Sequence, residues 1–117
     1  MSMASQSRAE TAGSMLVDIP SLGALDEVIH QKVRLGIMST LMALGSADFK
    51  LLKETLGLSD GNLSTHLALL EERGYVEVRK EFKGRKPHTS ASPTELGRVA
   101  FQDYLASLER IIQAAKR

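Results

Sequence analysis

The chain has 117 residues, which predicts one domain with a single hydrophobic core, and its formal net charge of +1 does not by itself indicate a partner. Apolar residues make up 43% of it and aromatic residues only 4%, a composition that favours packed aliphatic helices and excludes a disordered chain. The absence of cysteine excludes disulfides, thiolate metal sites and thiol redox switches, and it fits a cytoplasmic location.

The first twenty residues are expected to form a flexible arm outside the fold. Residues 1–13 are rich in Ser and Ala and lack the apolar stretch that a secretion signal requires. No stretch of the chain approaches the roughly 18 apolar residues of a membrane span. We therefore expect the folded domain to cover residues 21–117 and to have no membrane partner.

Apolar residues recur at three- and four-residue steps from Leu25 to Leu44, which predicts a first helix over about residues 22–45. Met38 and Met42 lie one turn apart on it. We interpret them as core residues, although an adaptable pocket for a small molecule is an alternative use of such a pair.

Two shorter helices follow, over residues 49–56 and 59–73, joined by the tight turn Gly57-Leu58. This length and spacing are typical of a helix-turn-helix. The predicted N-caps are Ser46 or Asp48 for the first of these helices and Ser59 for the second. The inner face of the second helix is predicted to consist of three leucines, Leu63, Leu67 and Leu70.

The outer face of this helix is small and polar in its N-terminal half, which would let the helix lie deep in a major groove and bond base edges. Its predicted DNA contacts are Ser59, Asp60, Asn62, Ser64 and Thr65. The charge argues the other way, since residues 46–72 hold two lysines against five acidic residues. An amphipathic helix also has a polar face without binding DNA, so this feature alone does not decide the function.

A basic β-hairpin follows. Val76 and Val78 alternate as in a strand, residues 87–92 can return as the second strand, and Gly84 lies in the turn between them. Residues 76–88 hold five basic residues against two acidic ones, so the hairpin can supply the attraction to phosphate that the helix lacks. The predicted contacts to the DNA backbone or minor groove are Lys80, Lys83, Arg85, Lys86 and His88.

Thr94 is the predicted N-cap of a last helix over about residues 94–116. The first and last helices carry more apolar surface than so small a core can use, and soluble monomers rarely expose such stripes. We therefore expect a homodimer, with the alternative that the last helix folds back onto its own core. The predicted dimer contacts are Leu25, Ile29, Phe101, Tyr104, Leu105, Leu108 and Ile112.

Four segments together resemble the small members of the winged-helix transcriptional regulators of the MarR/ArsR type. The segments are residues 56–67, 70–76, 83–87 and 94–98. The resemblance implies a recognition helix at residues 59–73, a wing at residues 75–92, and action as a dimeric repressor or activator. Thiolate metal sensing, which some members perform, is not implied because the chain has no cysteine.

The predicted fold is therefore mainly α with a small β-hairpin, a winged helix-turn-helix with extra N- and C-terminal dimerisation helices. We expect a sequence-specific regulator of double-stranded DNA without a metal, a cofactor or enzymatic activity. His30, His66 and His88 have no metal-ligand spacing, and His66 is expected to be a packing residue. The alternative function is a winged-helix module that binds a protein, and the sequence indicates neither the operator nor any small-molecule effector.

Overall fold

The protein folds into four α-helices, a short 3₁₀-helix (Leu22–Ala24) and a small antiparallel sheet, as seen in a computed structural model that describes residues 22–116. The predicted arm at residues 1–20 lies outside the described residues. The helices are α1 (Lys32–Leu44), α2 (Phe49–Leu56), α3 (Asp60–Glu72) and α4 (Glu95–Ala115). The strands are β1 (Ala47–Asp48), β2 (Val76–Lys83) and β3 (Lys86–Pro93). The predicted mainly helical fold with a β-hairpin is confirmed.

The sheet has the order β1-β3-β2, so the hairpin of β2 and β3 is extended by one very short strand. Ala47 pairs with Ala91, and Asp48 pairs with Ser90. The sequence did not predict β1, because two residues carry no alternating pattern. This strand joins the hairpin to the segment between α1 and α2, and it thereby sets where the hairpin lies relative to the helix-turn-helix.

The predicted first helix is wrong in its first ten residues, since α1 begins only at Lys32. The side chain of Asp26 accepts hydrogen bonds from the backbone N–H groups of Val28 (2.8 Å) and Ile29 (3.1 Å). Gln31 then caps α1 by accepting from the N–H of Arg34 at 2.9 Å. Such local bonds from side chain to backbone compete with a helix, which is why the apolar spacing here does not produce one.

The other predicted helix starts are confirmed by their capping bonds. Asp48, Ser59 and Thr94 each accept a hydrogen bond from the backbone N–H three residues later, at 2.7, 3.1 and 3.0 Å. Each bond satisfies an amide that the first helical turn leaves without a partner.

Four of the predicted dimer contacts prove to be core residues of the chain itself. Leu25, Ile29, Phe101 and Tyr104 are only 8, 0, 4 and 2% exposed. They pack with the leucines of α1, α2 and α3 in one cluster, so the expectation that their apolar surface faces a second copy is corrected. The reason is that helices α1 to α3 are short and need the first half of α4 to close their core.

Helix α4 crosses the start of β2 at very short range. The N–H of Thr94 donates to the carbonyl of Tyr75 at 3.0 Å, and its hydroxyl donates to the carbonyl of Gly74 at 2.6 Å. One turn into α4, a β-carbon at Gly97 would overlap the same Tyr75 carbonyl. The helix can therefore pack here only with glycine at this position.

We expect Gly97→Ala to lower the free energy of unfolding by about 3 kcal/mol, because the backbone of Tyr75, just before β2, cannot move aside as a flexible side chain would. Urea unfolding measures this. Gly61→Ala is the matched control, since Gly61 is also helical but has no atom near the position of a new β-carbon. The control should be neutral or slightly stabilising, and equal stability of the two variants would contradict this packing.

Candidate nucleic-acid interface

Helix α3 divides into a buried face and an exposed polar face, as predicted. Leu63, Leu67 and Leu70 are buried in the core. On the other side, the predicted contacts Asn62, Ser64 and Thr65 are exposed to solvent. The predicted contact Ser59 is exposed as well, with its hydroxyl oxygen engaged in the N-cap.

Asp60, in the first turn of α3, forms an ion pair with Lys53 of α2, with Lys53 Nζ 2.8 Å from Asp60 Oδ1. The hydrogen bond to Asp60 and the charge of Asp60 raise the pKa of Lys53, which favours its charged form. Sequence reasoning missed this pair, although the two residues flank the predicted turn. One of the acidic groups that opposed DNA binding is thus compensated within the helix-turn-helix.

A groove of about 440 Å³ separates α3 from the hairpin. Ser64 and Ala68 line it from α3, while Lys80 and Thr89 line it from the two strands. Glu71 lies at the same groove, on the C-terminal half of α3. The small side chains of α3 and one cation of the hairpin therefore share one concave surface.

The hairpin tip is a two-residue turn, Gly84-Arg85, between the paired residues Lys83 and Lys86. Gly84 has a φ of 67° and Arg85 a negative φ, the pattern of a type II′ turn, in which glycine holds the first central position. This turn sets the register of the hairpin and therefore the face of the sheet on which every side chain lies.

The predicted cations of the hairpin lie on different faces. Side chains alternate along a strand, so Lys80 shares the groove face with Val78, whereas Lys83 and its partner Lys86 lie on the opposite face. Arg85 is at the turn itself. The predicted contacts to the DNA backbone or minor groove therefore lie on two faces of the hairpin, a division that depends on its register.

His88 is engaged with the fold rather than free. Its Nε2 lies 3.4 Å from Oδ2 of Asp48, the N-cap of α2. The pKa of Asp48 is lowered, chiefly by the hydrogen bond from the N–H of Leu51 and further by His88. The contact links the hairpin to the first helix of the helix-turn-helix on the face away from the groove.

His66 is half-buried, in keeping with its expected packing role. Its Nδ1 accepts a hydrogen bond from Arg34 at 2.9 Å, and Nε of Arg34 donates to the carbonyl of Val28 at 2.5 Å. Burial, and then the charge of Arg34, lower the pKa of His66, which keeps the ring neutral at pH 7. The three residues join α1 and the segment before it to the back of α3.

A metal-binding cluster and a membrane-spanning helix are both absent from residues 22–116. No group of three or more His, Cys, Asp or Glu residues in this range is placed to hold a metal ion. None of the helices in the same range has the length and apolar character that crossing a membrane requires.

The model of the family "Winged helix DNA-binding domain" matches residues 33–112, which include the helix-turn-helix, the hairpin and most of α4. The chain belongs to this winged-helix family. By its position in this fold, the hairpin from Val76 to Pro93 is the wing, and α3 is the helix that the fold's nomenclature calls the recognition helix. Members of this class are DNA-binding regulators and typically not enzymes.

Known proteins resemble this winged-helix chain over most of its length. An uncharacterised protein of Methanocaldococcus jannaschii is 40% identical over 79 residues, 68% of this chain and 86% of its own. The structure of a transcriptional regulator homologue from Pyrococcus horikoshii superposes with a TM-score of 0.74 at 32% identity, covering 79% of this chain and 91% of the other.

A more distant likeness concerns the fold alone. The repressor BigR of Xylella fastidiosa superposes with a TM-score of 0.56 at 21% identity, covering 94% of this chain and 96% of its own. The family match and the Pyrococcus horikoshii structure confirm the resemblance to a small winged-helix transcriptional regulator that the sequence indicated.

We expect Asp48→Ala to lower the free energy of unfolding by about 1 kcal/mol at pH 7, because it removes the N-cap of α2. Asp48 has a lowered pKa in the folded state, so its stabilisation is present above its ordinary pKa of 3.8 and is lost as the pH falls through the folded value. Urea unfolding at pH 7 and pH 3 measures both effects.

Asp48→Asn is the control, since asparagine caps a helix about as well but carries no charge. It should retain most of the stability at pH 7, and its difference from Asp48→Ala should not depend on pH. A variant Asp48→Ala as stable as the wild type at pH 7 would show that this cap contributes nothing.

Proposed function

We propose that the chain is a homodimeric, sequence-specific regulator that binds double-stranded DNA, with α3 in the major groove and the wing on the backbone or minor groove. The observation that carries the proposal is the shared groove, where the small exposed side chains of α3 lie beside a wing rich in cations. A duplex offers both complements, base edges inside a groove and phosphates along its rims.

The exposed half of α3 suits the floor of a major groove. Asn62, Ser64 and Thr65 are short and can donate to and accept from base edges. Gly61, also on this exposed half, adds no side chain that would hold the helix away from the bases. Because Asp60 is paired with Lys53, its carboxylate repels phosphate less than a free one would.

The wing supplies the attraction to phosphate. Lys83, Arg85 and Lys86 are exposed, and among residues 22–116 no ion pair joins them to another side chain. Lys83 and Lys86 are direct cross-strand partners, an arrangement of like charges that disfavours the hairpin by itself. An anionic partner relieves this repulsion, which favours a role in binding over a role in folding.

The second half of α4 supports self-association. The buried residues of α4 are Gly97, Phe101 and Tyr104, all in its first half. Beyond them, Leu105 and Ile112 are 44 and 38% exposed and lie seven residues apart, on one face of the helix. A twofold dimer through this face would present two recognition helices to one side of a duplex, about one DNA turn apart.

The salt dependence of binding tests the DNA contact. If each protomer neutralises about four phosphates, log affinity should fall against log salt with a slope of about −7 for the dimer. Removing one phosphate contact per protomer with Lys83→Ala should reduce the slope to about −5. Titration of a duplex selected from a random pool by the wild-type chain measures both slopes.

Lys116→Ala is the control, an exposed cation at the end of α4, and it should leave the slope unchanged. A flat salt response of the wild type, or no binding of duplex at low salt, would contradict the proposal. Unchanged function after loss of the wing cations would instead favour the alternative, a module that binds protein.

The dimer has its own test. We expect Leu105→Lys together with Ile112→Lys to convert the chain to a monomer in sedimentation, because the apolar face of α4 would then carry buried, unpaired charges. Ala106→Lys together with Gln113→Lys is the matched control, with the same spacing and added charge on the exposed polar side of α4. Equal mass of the two double variants would exclude this face as the interface.

A further inference from the structure

Phe82 is the aromatic side chain that the fold leaves outside the core. The chain has five aromatic residues, two Tyr and three Phe. Tyr75, Phe101 and Tyr104 are buried, and Phe49 packs, partly buried, against the core cluster. Phe82, by contrast, is 73% exposed, near the tip of the wing. Its ring therefore contributes little to folding.

The register of the wing turns Phe82 toward the recognition helix. Phe82 lies two residues beyond Lys80 and four beyond Val78, so all three share the face that borders the groove with α3. Its cross-strand partner is Pro87, which adds a second apolar surface beside the ring. The wing tip thus offers a small apolar edge on the side where a duplex held by α3 would lie.

The charges around this edge define its partner. Lys80 lies next to Phe82 on the same face, Arg85 lies at the turn, and Lys83 and Lys86 lie on the opposite face of the same tip. The matching surface is apolar and bordered by negative charge. The minor groove of DNA has this composition, with deoxyribose walls between two rows of phosphates, and apolar side chains are known to enter it. A second wing of the same chain is disfavoured, since its cations would repel these.

We propose that Phe82, backed by Pro87, enters the minor groove next to the major groove that α3 occupies, and packs against the sugars and base edges there. The inference rests on the proposed function and deepens it, because it assigns to the wing an apolar contact in addition to its phosphate contacts. The cations then attract the duplex over a distance, and the ring makes the contact that salt does not weaken.

The test compares Phe82→Ala with Lys83→Ala on the duplex selected by the wild-type chain, over a series of salt concentrations. We expect Phe82→Ala to weaken binding by about tenfold at every salt concentration with an unchanged slope, as loss of apolar burial predicts. Lys83→Ala should instead reduce the slope. Phe82→Leu should bind better than Phe82→Ala, and Phe82→Lys should not restore binding at high salt.

Leu44→Ala is the matched control, an exposed apolar side chain outside the wing and α3 at 57% exposure; it should bind as the wild type does. Thermal melting should show all these variants folded, because the replaced side chains lie at the surface.

The outcomes separate the two proposals. If the wild type fails to bind duplex, the proposed function is wrong. If the wild type binds and Phe82→Ala binds equally well at all salt concentrations, the inference about Phe82 is overturned while the proposed function stands. A Phe82→Ala variant that binds DNA normally but sediments differently would also overturn it, by identifying the ring as a protein contact.

Discussion

The relation between recognition helix and wing depends on the junction at Gly74 and Tyr75. Gly74, with a φ of 85°, ends α3, and the N–H of Tyr75 donates back to the carbonyl of Leu70 at 2.9 Å. This is the bonding pattern of a Schellman motif, which turns the chain sharply while satisfying the last carbonyls of the helix. The carbonyl of Tyr75 then accepts a hydrogen bond from the N–H of Thr94, and the phenol of Tyr75 donates one to Asp26. Tyr75 thus joins α3, the wing, α4 and the segment before α1, and the backbone bonds at this junction fix how the wing lies relative to α3.

On the surface around the groove, α3 provides the shape and the wing provides most of the positive charge. α3 provides small polar groups at a fixed depth, and the pairing of Asp60 with Lys53 at 2.8 Å limits the repulsion that its acidic residues would cause. The wing carries the cations, at the end of a hairpin that extends from the core. An element that reads bases must be positioned within a fraction of an ångström, whereas a cation acts over about a Debye length. It is therefore consistent that α3 is packed into the core through its leucines while the charged residues lie at the more exposed tip.

The parts of the fold that were predictable from sequence are those set by local patterns. Leu63, Leu67 and Leu70 repeat at helical spacing, and Ser59 and Thr94 are caps whose effect reaches only three residues, so α3 and the start of α4 were predicted correctly. The start of α1 was not, because the same apolar spacing is compatible with the turn that Asp26 stabilises. The strand β1 and the face of each wing residue were missed because they depend on long-range pairing and on the register that Gly84 sets. The position of the exposed Phe82 ring on the groove side of the wing also depends on this register, so the sequence did not predict it.

Helix α4 also shows that a sequence pattern does not determine long-range contacts. From Phe101 to Ile112 its apolar residues form one continuous pattern in the sequence, which does not say what covers them. In the fold, Phe101 and Tyr104 close the core of the chain, while Leu105 and Ile112 remain at the surface. The helix has 21 residues and is therefore about 30 Å long, more than the core can cover. Leu108 and Ile111 of the second half still pack, partly buried, against the core, so folding and self-association would then rely on different side chains of one helix. On that arrangement a protomer can fold before it meets its partner, and the spacing of the two recognition helices follows from how the second halves of α4 pair.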